Sequence, residues 1–180
     1  MKLHLGCGKR YISGFYHIDV LSYPHIDYVG RVDHLPAHIG NESIELIYAC
    51  HVLEHFGRHE YQAVLAEWFR VLKPHGILRL AVPDFEAIAG AYVSGALARG
   101  IDDLVGLCVG GQRDDYDFHK MIFDEASLAR ALRETGFLHV RRWDWRGTEH
   151  SGTDDYSQSY LPHMDKEHGT LMSLNLEAVK

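Results

Sequence analysis

The stretch Leu3-His4-Leu5-Gly6-Cys7-Gly8, followed by Tyr16-His17-Ile18-Asp19, constrains the fold of this chain more than any other. An apolar run that stops at Gly-x-Gly reads as a buried strand leaving a sheet through a turn where the backbone comes very close to something else. A second short strand then ends on Asp19, the position where an α/β sheet sets the acid that grips the two hydroxyls of a ribose. Gly-x-Gly alone is equally compatible with a plain tight turn. Strand, glycine turn, strand and acid in this order imply a nucleoside-bearing cofactor.

Two later segments extend the pattern: Leu46-Ile47-Tyr48-Ala49-Cys50-His51-Val52-Leu53-Glu54-His55-Phe56, and Glu67-Trp68-Phe69-Arg70-Val71-Leu72-Lys73-Pro74-His75-Gly76-Ile77-Leu78-Arg79-Leu80. With the glycine turn and Asp19, these motifs resemble, in order and spacing, the class I S-adenosylmethionine (SAM)-dependent methyltransferases, and most closely their small "type 11" branch. The resemblance covers roughly residues 3–85. It implies a Rossmann-like α/β fold with a mostly parallel seven-stranded sheet and an antiparallel C-terminal strand at the edge, one domain over residues 1–180, and SAM as cofactor. The cofactor site it implies comprises Leu5, Gly6, Cys7, Gly8, Asp19, Asp33, Leu35, Cys50 and His51. Within that set Asp33 reaches the adenine amino group and Leu35 packs on the ring. The plainer reading is that Asp33 starts a turn before Pro36.

The sequence departs from the family at two points. Only residues 9–15 separate the glycine turn from the second strand, too few for the helix that normally links the first two parallel strands, because such crossovers need about ten residues or more. The first helix is therefore expected to be missing or reduced to a turn, which leaves the methionine end of the cofactor more dependent on backbone amides than on a helix N-terminus. The second departure is Lys73-Pro74-His75-Gly76, where the family usually has Lys-Pro-Gly-Gly. A type II turn there requires a positive φ at His75.

Composition narrows the partners. An excess of 25 acidic over 18 basic residues, net charge −7, with no basic run, offers no electrostatic footprint for a phosphate backbone, so nucleic acid is not expected as a partner. Cys7, Cys50 and Cys108 are far apart and lack Cys-x-x-Cys spacing, which fits neither a disulfide framework nor a zinc cluster and suits a reducing cytoplasm. The expected protein has no signal peptide or membrane anchor and is cytoplasmic.

Along the rest of the chain, residues 43–49 read as a fourth strand whose C-terminal loop, residues 50–55, lies on the same edge as the glycine turn. His51 and His55 have the i, i+4 spacing of a helical metal pair, but no third ligand stands at a recognisable distance and no Glu directly follows His51. No metal site is expected on that basis. His51 reads instead as a cofactor or substrate neighbour and His55 as structural. Residues 60–72 carry an amphipathic helix pattern, and residues 77–82 a central parallel strand closed by Pro83-Asp84-Phe85. Asp84 either faces the substrate or caps the next helix.

Residues 85–109 read as one or two helices. The polar, aromatic segment 110–120 interrupts them and is the first choice for the acceptor site. A helix capped by Asp124 or Ser127 runs to Thr135, and residues 137–145 read as a strand. Residues 147–168 form a long hydrophilic connection, suspect as a lid; with residues 85–122 they are the expected acceptor-site insertions. Residues 171–179 alternate, with Met172, Leu174, Leu176 and Ala178 on one face, as in a half-buried strand.

If SAM is bound, the reaction is an in-line displacement in which alignment does most of the work, and a hydroxyl acceptor also needs a base. His119 is the first candidate and His51 the second, although His119 reads equally well as an ordinary hydrogen-bonded loop residue. The expected substrate-binding set is Asp84, Tyr116, Asp117, His119, Tyr160 and His163, around a small-molecule acceptor such as a sugar hydroxyl. Two alternatives stand beside methyl transfer. One is a catalytically silent SAM-binding subunit. The other is a nucleotide-dependent oxidoreductase, disfavoured because Gly6-Cys7-Gly8 lacks the third glycine and following helix that hold a pyrophosphate.

Overall fold

The apolar runs of the sequence pair edge to edge in one seven-stranded sheet. The computed structural model of the chain describes residues 1–95 and 97–180. Its strands are β1 (Lys2–Leu5), β2 (Tyr16–Asp19), β3 (Tyr28–Val29), β4 (Ile44–Cys50), β5 (Leu72–Pro83), β6 (Leu138–Arg142) and, after a two-stranded ribbon of β7 (Tyr160–Leu161) and β8 (Thr170–Leu171), β9 (Ser173–Val179). The order across the sheet is β3-β2-β1-β4-β5-β9-β6. Strands β1 to β5 pair in parallel, and β9 runs antiparallel to both β5 and β6. The antiparallel pair thus forms the last two positions of the sheet, with β6 outermost.

Side chains alternate across a strand, and the two faces of this sheet are built differently. Leu3, Leu5, Ile18, Ile47, Leu78, Leu80, Leu174 and Leu176 belong to one large apolar cluster. The helices α1 (Tyr61–Val71) and α4 (Glu125–Thr135) close that cluster with Val64, Leu65, Trp68 and Val71 from the first and Leu128, Ala131 and Leu132 from the second. Helix α4 is fixed at its start by a capping box, in which Asp124 accepts from the Ser127 amide while the Ser127 hydroxyl accepts from the Asp124 amide. Trp68 is fully buried, and its indole donates to the Val32 carbonyl at 2.9 Å.

The opposite face is polar. It carries His4, His17, Tyr48, Arg79, Ser173, Asn175 and Glu177, and its apolar contacts come from Ile12, Phe15 and Trp143 rather than from a helix. Residues 6–15 hold only turns and bends, so the first helix is absent, as the short spacing requires. The turn segment is pinned by the Ile12 amide donating to His17 Nε2 at 3.0 Å.

This polar face corrects one expectation. Strand β9 is not half-buried, because Ser173, Asn175 and Glu177 are buried as fully as the leucines between them. The segment that covers them is the supposed lid. It is folded onto the sheet through Asn175 Nδ2 donating to the Ser157 carbonyl at 2.9 Å and the Tyr48 hydroxyl donating to Asp155 at 2.6 Å. A 3₁₀ turn (Tyr156–Gln158) and the β7–β8 ribbon give it its own structure.

His75 adopts φ +65°, as expected of Lys73-Pro74-His75-Gly76, and there the pairing of β4 with β5 shifts register between Ile44 and Leu46. Gly76 is required at this shift, since a Cβ would stand 2.9 Å from the Lys73 carbonyl oxygen. After β5 come α2 (Phe85–Ser94), a 3₁₀ turn (Gly100–Asp103) and α3 (Val105–Val109), packed around Ile88, Leu104 and Met172. Cys7, Cys50 and Cys108 are free thiols, and among the described residues no helix is long and apolar enough to cross a membrane.

Candidate active site

Parallel strands β1, β2 and β4 end on one edge of the sheet, and a cleft of about 840 Å³ opens there. At its base the glycine turn and the acid form one unit. Gly6 takes φ +59° and donates its amide to Ile18; a Cβ on it would stand 2.5 Å from Val52 Cγ2. Gly8 takes φ +55° and donates its amide to Asp19 Oδ2 at 2.7 Å, and no atom lies within 4 Å of where its Cβ would be. Gly6 is thus required by packing below the turn, whereas Gly8 leaves bare backbone facing the cleft. Asp19, 6% exposed, accepts the Leu21 amide on its other oxygen at 2.8 Å. Each oxygen holds one amide hydrogen and keeps a lone pair for a further donor.

Where the first helix would otherwise begin, the cleft is lined by Lys9 and Arg10. Arg10 Nε donates to the Asp154 carbonyl at 2.9 Å, and its guanidinium lies 4.7 Å above the Tyr156 ring. A fixed cation and the Gly8 turn therefore stand together at the end of the cleft that has no helix dipole. The buried Cys7 thiol of the same turn is pushed up to about 12, first by burial and then by Asp19, so it is uncharged.

The loop after β4 forms another wall. His51 adopts φ +54°, an uncommon conformation for a residue with a side chain. Its amide donates to Ala81, its Nε2 lies 3.2 Å from Ser173 Oγ, and its ring packs 5.2 Å from that of Tyr156. Burial, then the neighbouring His119 and His55, push His51 down to about 3, and burial pushes the Glu54 carboxyl up to about 8. At the mouth stand the exposed rings of Tyr116, Phe118 and Tyr156. The loop carrying the first two is braced by the Arg113–Asp117 ion pair at 2.6 Å.

The expected site residues therefore divide. Gly6, Cys7, Gly8, Asp19, Cys50, His51, Tyr116 and Asp117 line the cleft; Leu5, Asp33, Leu35, Asp84, His119, Tyr160 and His163 do not. Leu5 and Leu35 are core residues. Asp33 is held by Arg31 at 2.6 Å; burial alone would raise its carboxyl, but the guanidinium outweighs it and keeps the group below its ordinary range. Asp84 is the N-cap of α2, accepting from the Glu86 and Ala87 amides, with Arg142 at 3.4 Å. The Tyr160 hydroxyl accepts from Trp145 at 3.3 Å, and His163 is solvent-exposed on the far side of β7 in sequence. His119 is turned into the protein, with Nδ1 against the Leu107 carbonyl at 2.9 Å. Sequence reasoning missed Arg10 and Arg31 as cleft residues, and reached Phe118 and Tyr156 only as members of the expected acceptor-site segments. The short 9–15 linker, which removes the helix dipole, was the available signal for Arg10.

A family profile described as "Methyltransferase domain" matches residues 21–80, a third of the chain. No curated protein sequence matches. Among solved structures, the chain is similar to a Burkholderia thailandensis 1,6-didemethyltoxoflavin-N1-methyltransferase with 1,6-didemethyltoxoflavin and S-adenosylhomocysteine bound, at 14% identity and TM-score 0.58, covering 99% of this chain and 70% of the other. It is similar to a Thermotoga maritima SAM-dependent methyltransferase described as a possible histamine N-methyltransferase, at 14% identity and TM-score 0.60, covering 99% and 81%. An Archaeoglobus fulgidus SAM-dependent methyltransferase is similar at 12% identity and TM-score 0.59, covering 99% and 85%. At such identities these likenesses establish the fold. The domain profile lies across β3, β4, α1 and the first part of β5, next to the glycine turn and Asp19 at the sheet edge, and the fold is the one shared by these SAM-dependent methyltransferases.

Proposed function

We propose that the cleft binds SAM and that the protein methylates a hydroxyl group on a small acceptor. The observation that carries this reading is the junction of Asp19 with Gly8: a buried carboxylate with acceptor capacity to spare, hydrogen-bonded to a bare glycine backbone at the base of an open cleft. Those features fit a ribose diol and an adjoining chain that must approach closely. Arg10 and Lys9 supply positive charge for the methionine carboxylate where a helix N-terminus is lacking. Bound SAM would supply an activated methyl, whose carbon accepts the acceptor's lone pair as the carbon–sulfur bond breaks and its electron pair stays on sulfur.

The chain's own contribution is mainly alignment. Tyr116, Phe118 and Tyr156 offer flat apolar surfaces for the acceptor at the mouth. His51, the first cleft-lining imidazole after β4, is uncharged at physiological pH and has its ring fixed by its backbone φ and the Ser173 contact; lowered to about 3 it is a weak base, suited to helping orient the acceptor rather than to holding the hydroxyl proton. His119, outside the cleft lining with its Nδ1 held at the Leu107 carbonyl, is given no step on the acceptor.

Calorimetry with SAM, S-adenosylhomocysteine and NAD tests the cofactor, and a methylation screen over sugars and phenols tests the acceptor. Micromolar binding of the first two without NAD is expected, with turnover on at least one hydroxyl acceptor. NAD binding without SAM binding would overturn the reading. SAM binding with turnover only on amines would overturn the hydroxyl assignment, and SAM binding with no turnover would favour the silent-subunit alternative.

A further inference from the structure

Glu54, in the 3₁₀ turn Leu53–His55, is fully buried, and neither of its carboxylate oxygens has a hydrogen-bond partner among the described residues. A carboxyl group in such a place is costly as an anion unless a proton or a cation neutralises it. Its neighbours are imidazoles. His51 Nδ1 lies 3.3 Å from Glu54 Oε1 outside hydrogen-bonding geometry, His119 Nε2 lies 3.9 Å away, and the rings of His55 and His119 meet edge to face at 5.0 Å.

The backbone decides where the protons sit on two of these rings. His119 Nδ1 is 2.9 Å from the Leu107 carbonyl oxygen and His55 Nδ1 is 3.1 Å from the Phe118 carbonyl oxygen. A carbonyl can only accept, so these partners assign the proton to Nδ1 in both rings and leave a lone pair on each Nε2. For His119 that lone pair faces the orphaned carboxyl group, a juxtaposition that only a shared proton or a cation relieves. Donating the second ring N–H to a backbone carbonyl is also how proteins orient histidines that ligate metals.

We propose that Glu54, His55 and His119 form a binding site for a divalent metal ion of the zinc class, held by one carboxylate oxygen and two Nε2 atoms. One donor atom from each residue lies within 4.8 Å of the others, close enough for a single ion to draw them together. Two imidazoles with one carboxylate suit zinc and its neighbours better than magnesium or calcium, which favour all-oxygen shells. Three protein ligands leave a fourth position open.

The placement gives the ion a way in and a task. His119 lines a second pocket of about 390 Å³ with Cys108 and Lys120, while His55 lines the main cleft. Glu54 and His55 come from the loop after β4, whereas His119 comes from the 110–120 segment. The amides of Lys120 and Met121 already donate to the Glu54 carbonyl at 2.8 and 3.1 Å. Metal binding would therefore lock the aromatic mouth of the cleft to its wall. The sequence concealed the site because its third ligand lies 64 positions beyond His55 (119 − 55) and meets it only through the fold.

The test needs no cofactor and so stands apart from the methyl-transfer reading. Tag-free protein, stripped with a chelator and dialysed, is titrated with zinc chloride by calorimetry and, separately, with cobalt chloride by visible absorption. One zinc ion per chain is expected, with a raised melting temperature and a cobalt spectrum of tetrahedral nitrogen and oxygen ligation. Glu54→Gln and His119→Ala should each weaken zinc binding by at least roughly tenfold, while His168→Ala, an exposed histidine elsewhere, should not. Circular dichroism verifies that the variants fold, and the isosteric Glu54→Gln decides the matter if His119→Ala does not. Absence of stoichiometric binding to the stripped wild-type protein, or undiminished binding in Glu54→Gln, would overturn the site.

Discussion

Replacing Asp19 by alanine separates the role of this carboxylate in the fold from its role toward a ligand. In the free protein Asp19 accepts two backbone amides, from Gly8 at 2.7 Å and Leu21 at 2.8 Å. Because the cleft is open, water can replace the carboxylate at these amides, and the loss of folding stability should be about 1–3 kcal/mol in total. Toward SAM the loss is larger. Each hydrogen bond from a ribose hydroxyl to a charged acceptor contributes about 1.5–3 kcal/mol, so two contribute about 3–6 kcal/mol, or roughly a hundred- to ten-thousandfold in Kd. Asp19→Asn, which keeps one carbonyl acceptor, should fall between alanine and wild type. The assay is calorimetric titration with S-adenosylhomocysteine, with thermal melts of the free variants as the control for folding. A dissociation constant within threefold of wild type in a folded Asp19→Ala protein would refute the assignment of the ribose to this residue.

The two glycines of the turn should respond in opposite ways. Gly6→Ala forces a Cβ to 2.5 Å from Val52 at positive φ and should cost about 2–5 kcal/mol of stability, read by chemical denaturation. Gly8→Ala, whose Cβ meets nothing, should cost only about 1–2 kcal/mol but impair cofactor binding, because it narrows the approach to the backbone. Arg10→Ala should weaken S-adenosylhomocysteine binding about tenfold while leaving methylthioadenosine, which lacks the carboxylate, unaffected; an equal loss for both would remove the carboxylate role. The fourth prediction concerns pH. Burial first, then His17, His150, His25 and Arg10, lower buried His4 to about 3, below its unfolded value of 6.5. Its contribution is therefore fully present above pH 6.5 and is lost as pH falls from 6.5 through 3, a loss on the order of a few kcal/mol. The acid limb of the denaturation profile should flatten in His4→Leu, and an unchanged limb would mean that other groups drive the acid sensitivity.

The parts of the molecule that could be read in advance are those whose side-chain pattern has a single cause. The α1 stripe of Val64, Leu65, Trp68 and Val71, the Asp124 cap and the missing first helix follow from periodicity, local hydrogen bonding and chain length. Strand β9 misled because alternation reports chemistry, not cover: Ser173, Asn175 and Glu177 are polar yet buried, Asn175 bonded to the Ser157 carbonyl of a distant segment and Glu177 paired with Arg79 and Arg141 of the adjoining strands. The same limit governs the site. Gly6, Gly8 and Asp19 lie within fourteen residues and could be linked by spacing alone, as 19 − 6 = 13 positions. Arg10, Tyr156 and Glu54 acquire their roles from contacts between distant segments, and His119 was assigned to the acceptor from the loop it occupies when its ring turns inward to the Leu107 carbonyl.

A crystal structure of the protein soaked with S-adenosylhomocysteine tests the account most directly. It should show the ribose hydroxyls on the Asp19 carboxylate, the amino-acid end against Gly8 and Arg10, and the sulfur directed toward the space bounded by His51 and Tyr156. An adenosyl group bound elsewhere, with Asp19 still holding only the two backbone amides, would contradict it.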